Sequence, residues 1–231
     1  MTTATFQRAR KPEEINIRRE AILAAAAELF DREGPEGAGL NAIAARAGFT
    51  KSNVYRYFES REAVLLSLFI DDFIGFLDAL ESALRRVTSG DLKAVSKVAA
   101  AAFLDRPRLG RLMSILTSVL EHNVSAEALV DLKRSMLGLT QRLAAALAAA
   151  LPSLSFADCA WAGTTIGTYV AGMWPSVFPN PIVAEVMARP EFAVLKRVPE
   201  RDLERTILTL LMGLATQSPI PLQFGQPDLP L

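Results

Sequence analysis

The sequence has almost none of the residue types on which disulfides, zinc clusters and histidine-based catalysis depend. Cys159 is its only cysteine and His122 its only histidine. A single cysteine excludes an intrachain disulfide and fits a reducing compartment. Together the two counts exclude a Cys/His zinc cluster and leave little room for a histidine-based catalytic triad. We therefore expect no metal and no cofactor.

Long apolar runs are also missing. The longest strongly apolar run, Leu143 to Leu151, is much shorter than the roughly 20 residues that a membrane-spanning helix needs. Arg8, Arg10 and Lys11 near the N-terminus have no apolar stretch behind them, so they do not begin a secretory signal. We therefore expect a soluble, cytoplasmic protein without a membrane partner.

Net charge is absent too, because 25 basic side chains balance 25 acidic ones. A neutral chain has no overall attraction to nucleic acid. Any argument for DNA binding must therefore rest on where the charge lies along the sequence.

The chain does have helical periodicity in nearly every segment, which predicts an all-α fold. A polar arm to about residue 14 precedes a first helix that ends at Gly34. Asp91, Ser125 and Ser155 suit N-caps, and Pro107 and Pro199 suit first turns. The later helices are predicted at 40–47, 50–58, from about 61 through Leu84, and at 92–104, 107–121, 126–150, 156–174 and 199–217. Prolines 175, 179 and 181 interrupt regular structure, with one short helix near 182–188, and the tail from Ser218 is predicted to be extended or disordered.

Residues 40 to 58, LNAIAARAGFTKSNVYRYF, have the outline of a helix-turn-helix. Gly48 permits a left-handed turn between two short helices, and Phe49 fills the corner. At about 100° per residue, one side of the second helix is apolar and carries Val54, Tyr57 and Phe58. The opposite side carries donors and an aromatic ring, which suits the major groove of DNA. Its members are Lys51, Ser52, Tyr55 and Arg56.

The charge around this segment is local. Between Gly37 and Phe58 the basic residues are Arg46, Lys51 and Arg56, and there is no acidic residue. The neutral composition therefore conceals a positive patch on the predicted helix-turn-helix.

The stretch from about Ile15 to Leu66 resembles the DNA-binding domain of the TetR family. The resemblance rests on a Phe-x-x-x-Gly turn at 30–34, an Ile-Ala-x-x-Ala-Gly core at 43–48, the pair Tyr55 and Phe58, and a small-basic-Glu-x-x-Leu helix start at 60–65. Gly39 departs from the family's usual Thr or Ser cap, and Arg61 stands where Lys is common.

The resemblance implies roles for the matching residues. Base edges and nearby sugar-phosphate would be contacted by Lys51, Ser52, Tyr55 and Arg56, with Asn41 on the preceding helix also placed to reach the groove. Phosphates would be held by Thr50, Asn53, Tyr57 and Arg61. Among the N-terminal basic residues, a solvated tail competes with a minor-groove arm, and Arg19 is the best placed to touch phosphate.

The resemblance also implies a layout. An arm and a three-helix helix-turn-helix DNA-binding domain would occupy 1–62, a larger helical effector-binding and dimerisation domain 63–217, and a Pro-rich tail 218–231. Helices near 156–174 and 199–217 would form the homodimer interface. The implied partners are a palindromic double-stranded DNA operator and a small-molecule effector that releases a repressor from it.

A largely apolar effector is favoured because Leu, Ala, Phe and Met are abundant between 92 and 217 and few charges there look buried. Ordinary core packing, a dimer interface and a pocket wall are all open for Trp161, Tyr169, Met173 and Trp174. For His122 a cap or polar pair competes with a ligand contact, and Cys159 is interpreted as a small buried hydrophobe. The candidate pocket residues are Phe103, Met113, Leu116, Leu120, His122, Trp161, Tyr169 and Met173.

Two other function classes remain open. An all-α enzyme would need paired carboxylates or a nucleophile with its base, and no such spacing stands out. A helical adaptor would use the same helix-turn-helix to bind protein instead of DNA. Only DNA binding would weaken steeply with salt in proportion to the phosphates contacted.

Overall fold

The computed structural model describes residues 12–216, and these form α-helices with no β-strand among them. The all-α prediction is confirmed. None of the described helices is both long and apolar enough to cross a bilayer. In chain order the helices are α1 (Pro12–Gly37), α2 (Leu40–Arg46), α3 (Lys51–Val54), α4 (Arg61–Leu84), α5 (Leu92–Leu104), α6 (Pro107–Ile115), α7 (Ala126–Ala150), α8 (Phe156–Val177), α9 (Pro181–Met187) and α10 (Pro199–Thr216).

The predicted helix starts are confirmed by their caps. The side chain of Asp91 accepts a hydrogen bond from the Ala94 amide at 2.9 Å, and the Ser125 hydroxyl accepts one from Ala128 at 3.2 Å. Ser155 forms a reciprocal capping box with Asp158. Each cap satisfies an amide that the first helical turn leaves without a backbone acceptor.

Near the N-terminus, α1 begins at Pro12, so the expected arm is shorter than predicted. Proline suits this position because it has no amide hydrogen, and amide hydrogens in the first turn of a helix have no intrahelical acceptor in any case. At Gly34 the helix breaks, with φ of 72° and ψ of −167°, as predicted. The rest of the expected arm (1–11) and the expected Pro-rich tail (from 218) lie outside the described residues.

Two of the predicted helices end earlier than expected. The helix expected at 107–121 ends at Ile115 and is followed by turns and a 3₁₀ turn at Leu120–His122. The helix expected at 50–58 is α-helical only from Lys51 to Val54. Beyond Val54 it tightens into i→i−3 bonds, such as Tyr57 amide to Val54 carbonyl at 2.9 Å.

Pro175 does not interrupt α8, which continues to Val177. A proline within a helix removes one backbone hydrogen bond and crowds the preceding turn. Here it lies near the helix end, and the amide of Phe178 still donates to the carbonyl of Trp174 at 2.9 Å. The buried residues Met173 and Trp174 hold this last turn against the core.

The described chain separates into two compact units. The first, here the head unit, comprises residues 12–69 together with Leu116–Leu129. The apolar stripe of α1 packs against α2, and α2 packs against α3. The fully buried side chains of the head unit include Ile22, Phe30, Ile43, Val54 and Leu65.

The second, here the body unit, comprises Ile70–Ile115 and residues 130–216. Helix α10 packs mainly on α5, and α6 packs mainly on α8. Phe76 lies against Phe103 with ring centroids 4.3 Å apart. Leu80, Ile207 and Leu211 are also buried, so the apolar faces of α4, α5 and α10 share one core.

Candidate nucleic-acid interface

The turn between α2 and α3 is fixed by two backbone hydrogen bonds. The Gly48 amide donates to the Ala45 carbonyl at 3.1 Å, and the Phe49 amide donates to the Ala44 carbonyl at 2.8 Å. This is the Schellman arrangement, which needs a left-handed residue after the helix. Gly48 provides it with φ of 73°. The sharp corner predicted from the sequence is therefore present.

Helix α3 starts from a capped position and buries one side. The Thr50 hydroxyl accepts a hydrogen bond from the Asn53 amide at 3.3 Å. Val54 is 0% exposed and Phe58 is 5% exposed, and both face the core of the head unit. The two residues are one turn apart, so their burial fixes which side of α3 faces solvent.

The solvent side consists of Lys51, Ser52, Tyr55 and Arg56, all exposed, and we call these four residues the outward face. Half of the Tyr55 side chain is accessible, and the Lys51 ammonium lies 5.8 Å from the centroid of its ring. A cation near an aromatic face is weakly attracted to it. The outward face thus places two cations, a hydroxyl and a phenol on one short, rigid surface.

The basic residues on and near this face differ in whether they form an ion pair. Arg46 makes an ion pair and a hydrogen bond with Glu28, and that hydrogen bond holds the pKa of the Glu28 carboxyl below its ordinary value. Lys51 and Arg56 form no ion pair with any of residues 12–216. Their charge is therefore available to an anionic partner.

Arg61, which the resemblance assigns to phosphate, is engaged elsewhere in this structure. Its Nε donates to the Ala38 carbonyl at 3.1 Å, and one of its terminal nitrogens donates to the Pro35 carbonyl. Its guanidinium thus ties the end of α1 and the following residue, Ala38, to the start of α4. The acceptors are 23 and 26 residues away in sequence, so no local pattern could have revealed these contacts.

The Tyr57 hydroxyl and the Phe58 ring, next to the outward face, lie inward. The Tyr57 hydroxyl is buried and has no hydrogen-bond partner among residues 12–216. The Arg19 guanidinium lies 5.3 Å from the ring centroid of Phe58. Phosphate contacts by Tyr57 and Arg19 stay predictions, and each would require the side chain to turn outward.

The remaining predicted contact residues lie around α3. Asn41 is exposed in the first turn of α2, and Thr50 is exposed at the N-cap of α3. Asn53 is partly exposed, and its amide is already used by the Thr50 cap. Asn41, Thr50 and the outward face are therefore all accessible to solvent, and their joint contact with DNA stays a prediction.

Neither of the two cavities described among residues 12–216 contains the whole candidate pocket set. Leu116, Leu120 and His122 belong to the head unit, and the other five belong to the body unit. In the body unit, Phe103 lines an apolar cavity of only about 10 Å³, bounded also by Phe76, Leu143 and Ile166. A groove of about 300 Å³ beside Leu84, Val87 and Ala146 contains none of the eight. The pocket set stays a prediction.

Family models match most of the chain. The model described as bacterial regulatory proteins, tetR family, matches residues 22–68. The model described as tetracyclin repressor-like, C-terminal domain, matches residues 71–218. An uncharacterized HTH-type transcriptional regulator of Mycobacterium tuberculosis is 47% identical over 45 residues, which are 20% of this chain and 22% of that protein. The alignment thus spans under a quarter of that relative's length.

Solved structures share the fold at low sequence identity. The fatty acid degradation regulator FadR of Bacillus halodurans aligns over 87% of this chain and 97% of its own, with 18% identity and a TM-score of 0.52. A transcriptional regulator of Rhodococcus sp. RHA1 aligns over 86% and 95%, with 16% identity and a TM-score of 0.59. Because the family models cover both the helix-turn-helix and the helical domain that follows it, this chain belongs to the TetR family of bacterial regulatory proteins.

Proposed function

We propose that the protein is a sequence-specific DNA-binding transcription regulator and that the outward face of α3 reads the duplex. The observation that carries the proposal is the pairing of a buried side, Val54 and Phe58, with an exposed side whose Lys51 and Arg56 have no ion-pair partner among residues 12–216. A short helix of this kind fits the major groove, where Arg and Lys read guanine edges.

Within this proposal the outward face contacts base edges and nearby sugar-phosphate, and Asn41 approaches from α2. Thr50 and Asn53 contribute phosphate contacts at the capped N-terminus of α3. Tyr57 and Arg61 are proposed as phosphate contacts from the resemblance alone. Arg61 would have to exchange the carbonyls of Pro35 and Ala38 for a phosphate, so its first role is to hold the end of α1 against α4.

We further propose a homodimer through the outer sides of α8 and α10. Opposite its buried side, α8 presents small residues, among them Thr164, Thr168 and Gly172. The hydroxyls of both threonines donate to carbonyls of the same helix at 3.0 Å, so they require no further partner. Small, satisfied surfaces allow helices to approach closely across a two-fold axis. The exposed Met212 extends the apolar surface onto α10.

The proposed regulation is repression relieved by a small, largely apolar effector bound in the body unit. Its support is the apolar lining of that unit's core, where Phe76, Phe103, Leu143 and Ile166 surround the 10 Å³ cavity. Effector binding requires this cavity to enlarge. The coupling would be reciprocal and typically about 1–3 kcal/mol, so operator DNA would weaken effector binding by the same factor. The domain division at 62/63 and the separate tail from 218 are part of the same proposal.

Selection of bound sequences from random duplex DNA tests the function directly. We expect a near-palindromic site, and we expect Lys51→Ala/Arg56→Ala to weaken binding by about 2–6 kcal/mol and to flatten its salt dependence. Lys93→Ala/Lys97→Ala is the matched control, because it removes two exposed cations from α5 in the body unit. Equal losses in the two double variants would overturn the assignment of the outward face.

The same selection experiment and the same double variant distinguish the other function classes. An adaptor would select no duplex sequence. Its affinity for a protein would not fall with salt in proportion to the number of DNA phosphates contacted. An enzyme would show turnover that survives Lys51→Ala/Arg56→Ala. Among residues 12–216 no group of three or more His, Cys, Asp or Glu side chains could hold a metal ion.

A further inference from the structure

The connection between α8 and α10 buries none of its residues. From Phe178 to Val198 every side chain is exposed or partly exposed, and neither α9 nor the 3₁₀ segment Pro190–Leu195 has a buried residue. Ile182 is 75% exposed, Leu195 60% and Val194 88%. Scattered exposed apolar residues are ordinary, but a concentration of them in one segment marks an interaction surface.

This connection has defined local structure. The Asn180 side chain accepts a hydrogen bond from the Val183 amide at 3.0 Å, and Pro181 occupies the first helical position of α9. Local capping therefore specifies α9 although no core holds it. Its principal neighbour is the 3₁₀ segment that follows.

Helix α9 has an apolar side that faces solvent. At about 100° per residue, Ile182, Val183 and Val186 lie within about 100° of one another, and Glu185, the one charged residue of α9, lies outside that arc. All four are exposed. An amphipathic helix normally buries its apolar stripe against another element, and the body unit leaves this one uncovered.

We infer that residues 178–198, here the dimer arm, pack on a second copy of this chain. The arm joins α8 directly to α10, so both of its ends are anchored on the two helices that form the proposed dimer. It is also far longer than the about 2–8 residues that usually connect helices in a bundle. This inference rests on the proposed dimer and adds a segment to it.

The charges of the arm favour a second copy over an anionic partner. Glu185 and Glu191 lie among Arg189, Lys196 and Arg197, and all five are exposed. An anionic membrane surface or nucleic acid would attract the basic residues and repel the acidic ones. A two-fold contact brings the same mixed set to both sides, so acidic side chains can meet basic ones.

Sedimentation equilibrium of the full chain tests the arm. We expect Ile182→Asp/Val186→Asp to raise the dimer dissociation constant at least about tenfold, because charged side chains cannot enter an apolar contact. Val130→Asp/Leu137→Asp is the matched control, since these residues of α7 are 47% and 60% exposed and lie outside the arm. The control should dimerise like the unmodified protein, and both should keep their helical circular dichroism.

The outcomes separate the two proposals. A monomeric unmodified protein at all concentrations would overturn both the dimer and the arm. A dimeric unmodified protein whose arm variant has the same dissociation constant, or whose control is weakened equally, would overturn the arm and leave the dimer.

A second measurement does not depend on the double variant. Benzophenone maleimide attached to Val194→Cys should photo-crosslink to a peptide of the other copy, which mixing isotope-labelled and unlabelled protein identifies. The native Cys159 is buried and will not compete for the reagent. Crosslinks confined to the same chain would overturn the arm.

Discussion

At Gly110 the lack of a side chain allows α6 to approach α8. A Cβ atom built there would lie 2.2 to 2.4 Å from atoms of the Trp174 ring. That ring is 1% exposed and lies 4.7 Å from the Phe178 ring, so it has little room to move. We expect Gly110→Ala to lower the free energy of unfolding by about 1–3 kcal/mol through overpacking, measured by urea denaturation.

Gly138 provides the matched control, because it also lies within a helix but has open space where a Cβ would stand. Gly138→Ala should raise the free energy of unfolding by up to about 1 kcal/mol through helix propensity. Changes of opposite sign in the free energy of unfolding of the two variants would identify the contact with Trp174 as the cause of the loss at Gly110. A neutral Gly110→Ala would mean that the ring can move aside.

Cys159 should be inert in the folded protein. Burial, with a smaller contribution from the Asp158 carboxylate, raises the pKa of its thiol to about 11. At pH 8 only about one thiol in a thousand would be ionised, and only the thiolate reacts. Iodoacetamide should therefore modify Cys159 in denaturant and not in buffer. Rapid labelling in buffer would contradict its burial.

The same pKa predicts a pH dependence of stability. Below pH 9.0, the ordinary pKa of the thiol, Cys159 is neutral in both states and contributes nothing. Above it the unfolded thiol ionises first, so the free energy of unfolding falls between pH 9 and about 11. Cys159→Ala should lose less stability over this range. Urea denaturation at pH 8 and pH 10 makes the comparison.

At the scale of elements, Arg142 joins α7 to α4. Its guanidinium donates to both oxygens of Glu81 at 2.6 and 2.8 Å and to Asp78 at 2.6 Å. The hydrogen bond from Arg142 is the main cause that holds the pKa of Glu81 below its ordinary value. Arg142→Met, which keeps an apolar stem, should lower the free energy of unfolding by about 1 kcal/mol at pH 7.

The sign of the pH dependence follows from the lowered pKa. The stabilisation is complete above pH 4.5, the ordinary pKa of Glu81, and is lost as pH falls through the lower folded value. The difference between Arg142→Met and the unmodified protein should therefore shrink in acid. Arg134→Met is the control, because its pair with Asp131 is 77% and 78% exposed and should contribute almost nothing. If the difference in the free energy of unfolding did not change with pH, its cause would be the packing of the Arg142 side chain and not its ion pair with Glu81.

At the scale of the whole molecule, the proposed dimer fixes the geometry of its operator. Two copies of α3 would read half-sites about 34–36 Å apart on one face of the duplex. Inserting about half a helical turn between the half-sites should reduce affinity to the non-specific level, because the second copy then faces the wrong side. Electrophoretic mobility shifts measure this, and unchanged affinity would contradict a rigid dimer.

Sequence alone determined the features that depend on neighbours along the chain. The caps at Asp91 and Ser155, the left-handed Gly48 and the inward side of α3 all depend on residues no more than a few positions apart. Backbone sterics and helical periodicity act over that distance. Amphipathic pattern and capping were therefore sufficient to predict the helix-turn-helix and the all-α class.

Only the tertiary structure decided what depends on surfaces distant in sequence. It placed Arg61 on the carbonyls of Pro35 and Ala38 and ended α6 at Ile115. It also carried α8 through Pro175 and left the dimer arm without a covering surface. Each outcome depends on which surface a residue meets, and long-range packing outweighs local propensities of about 1 kcal/mol or less.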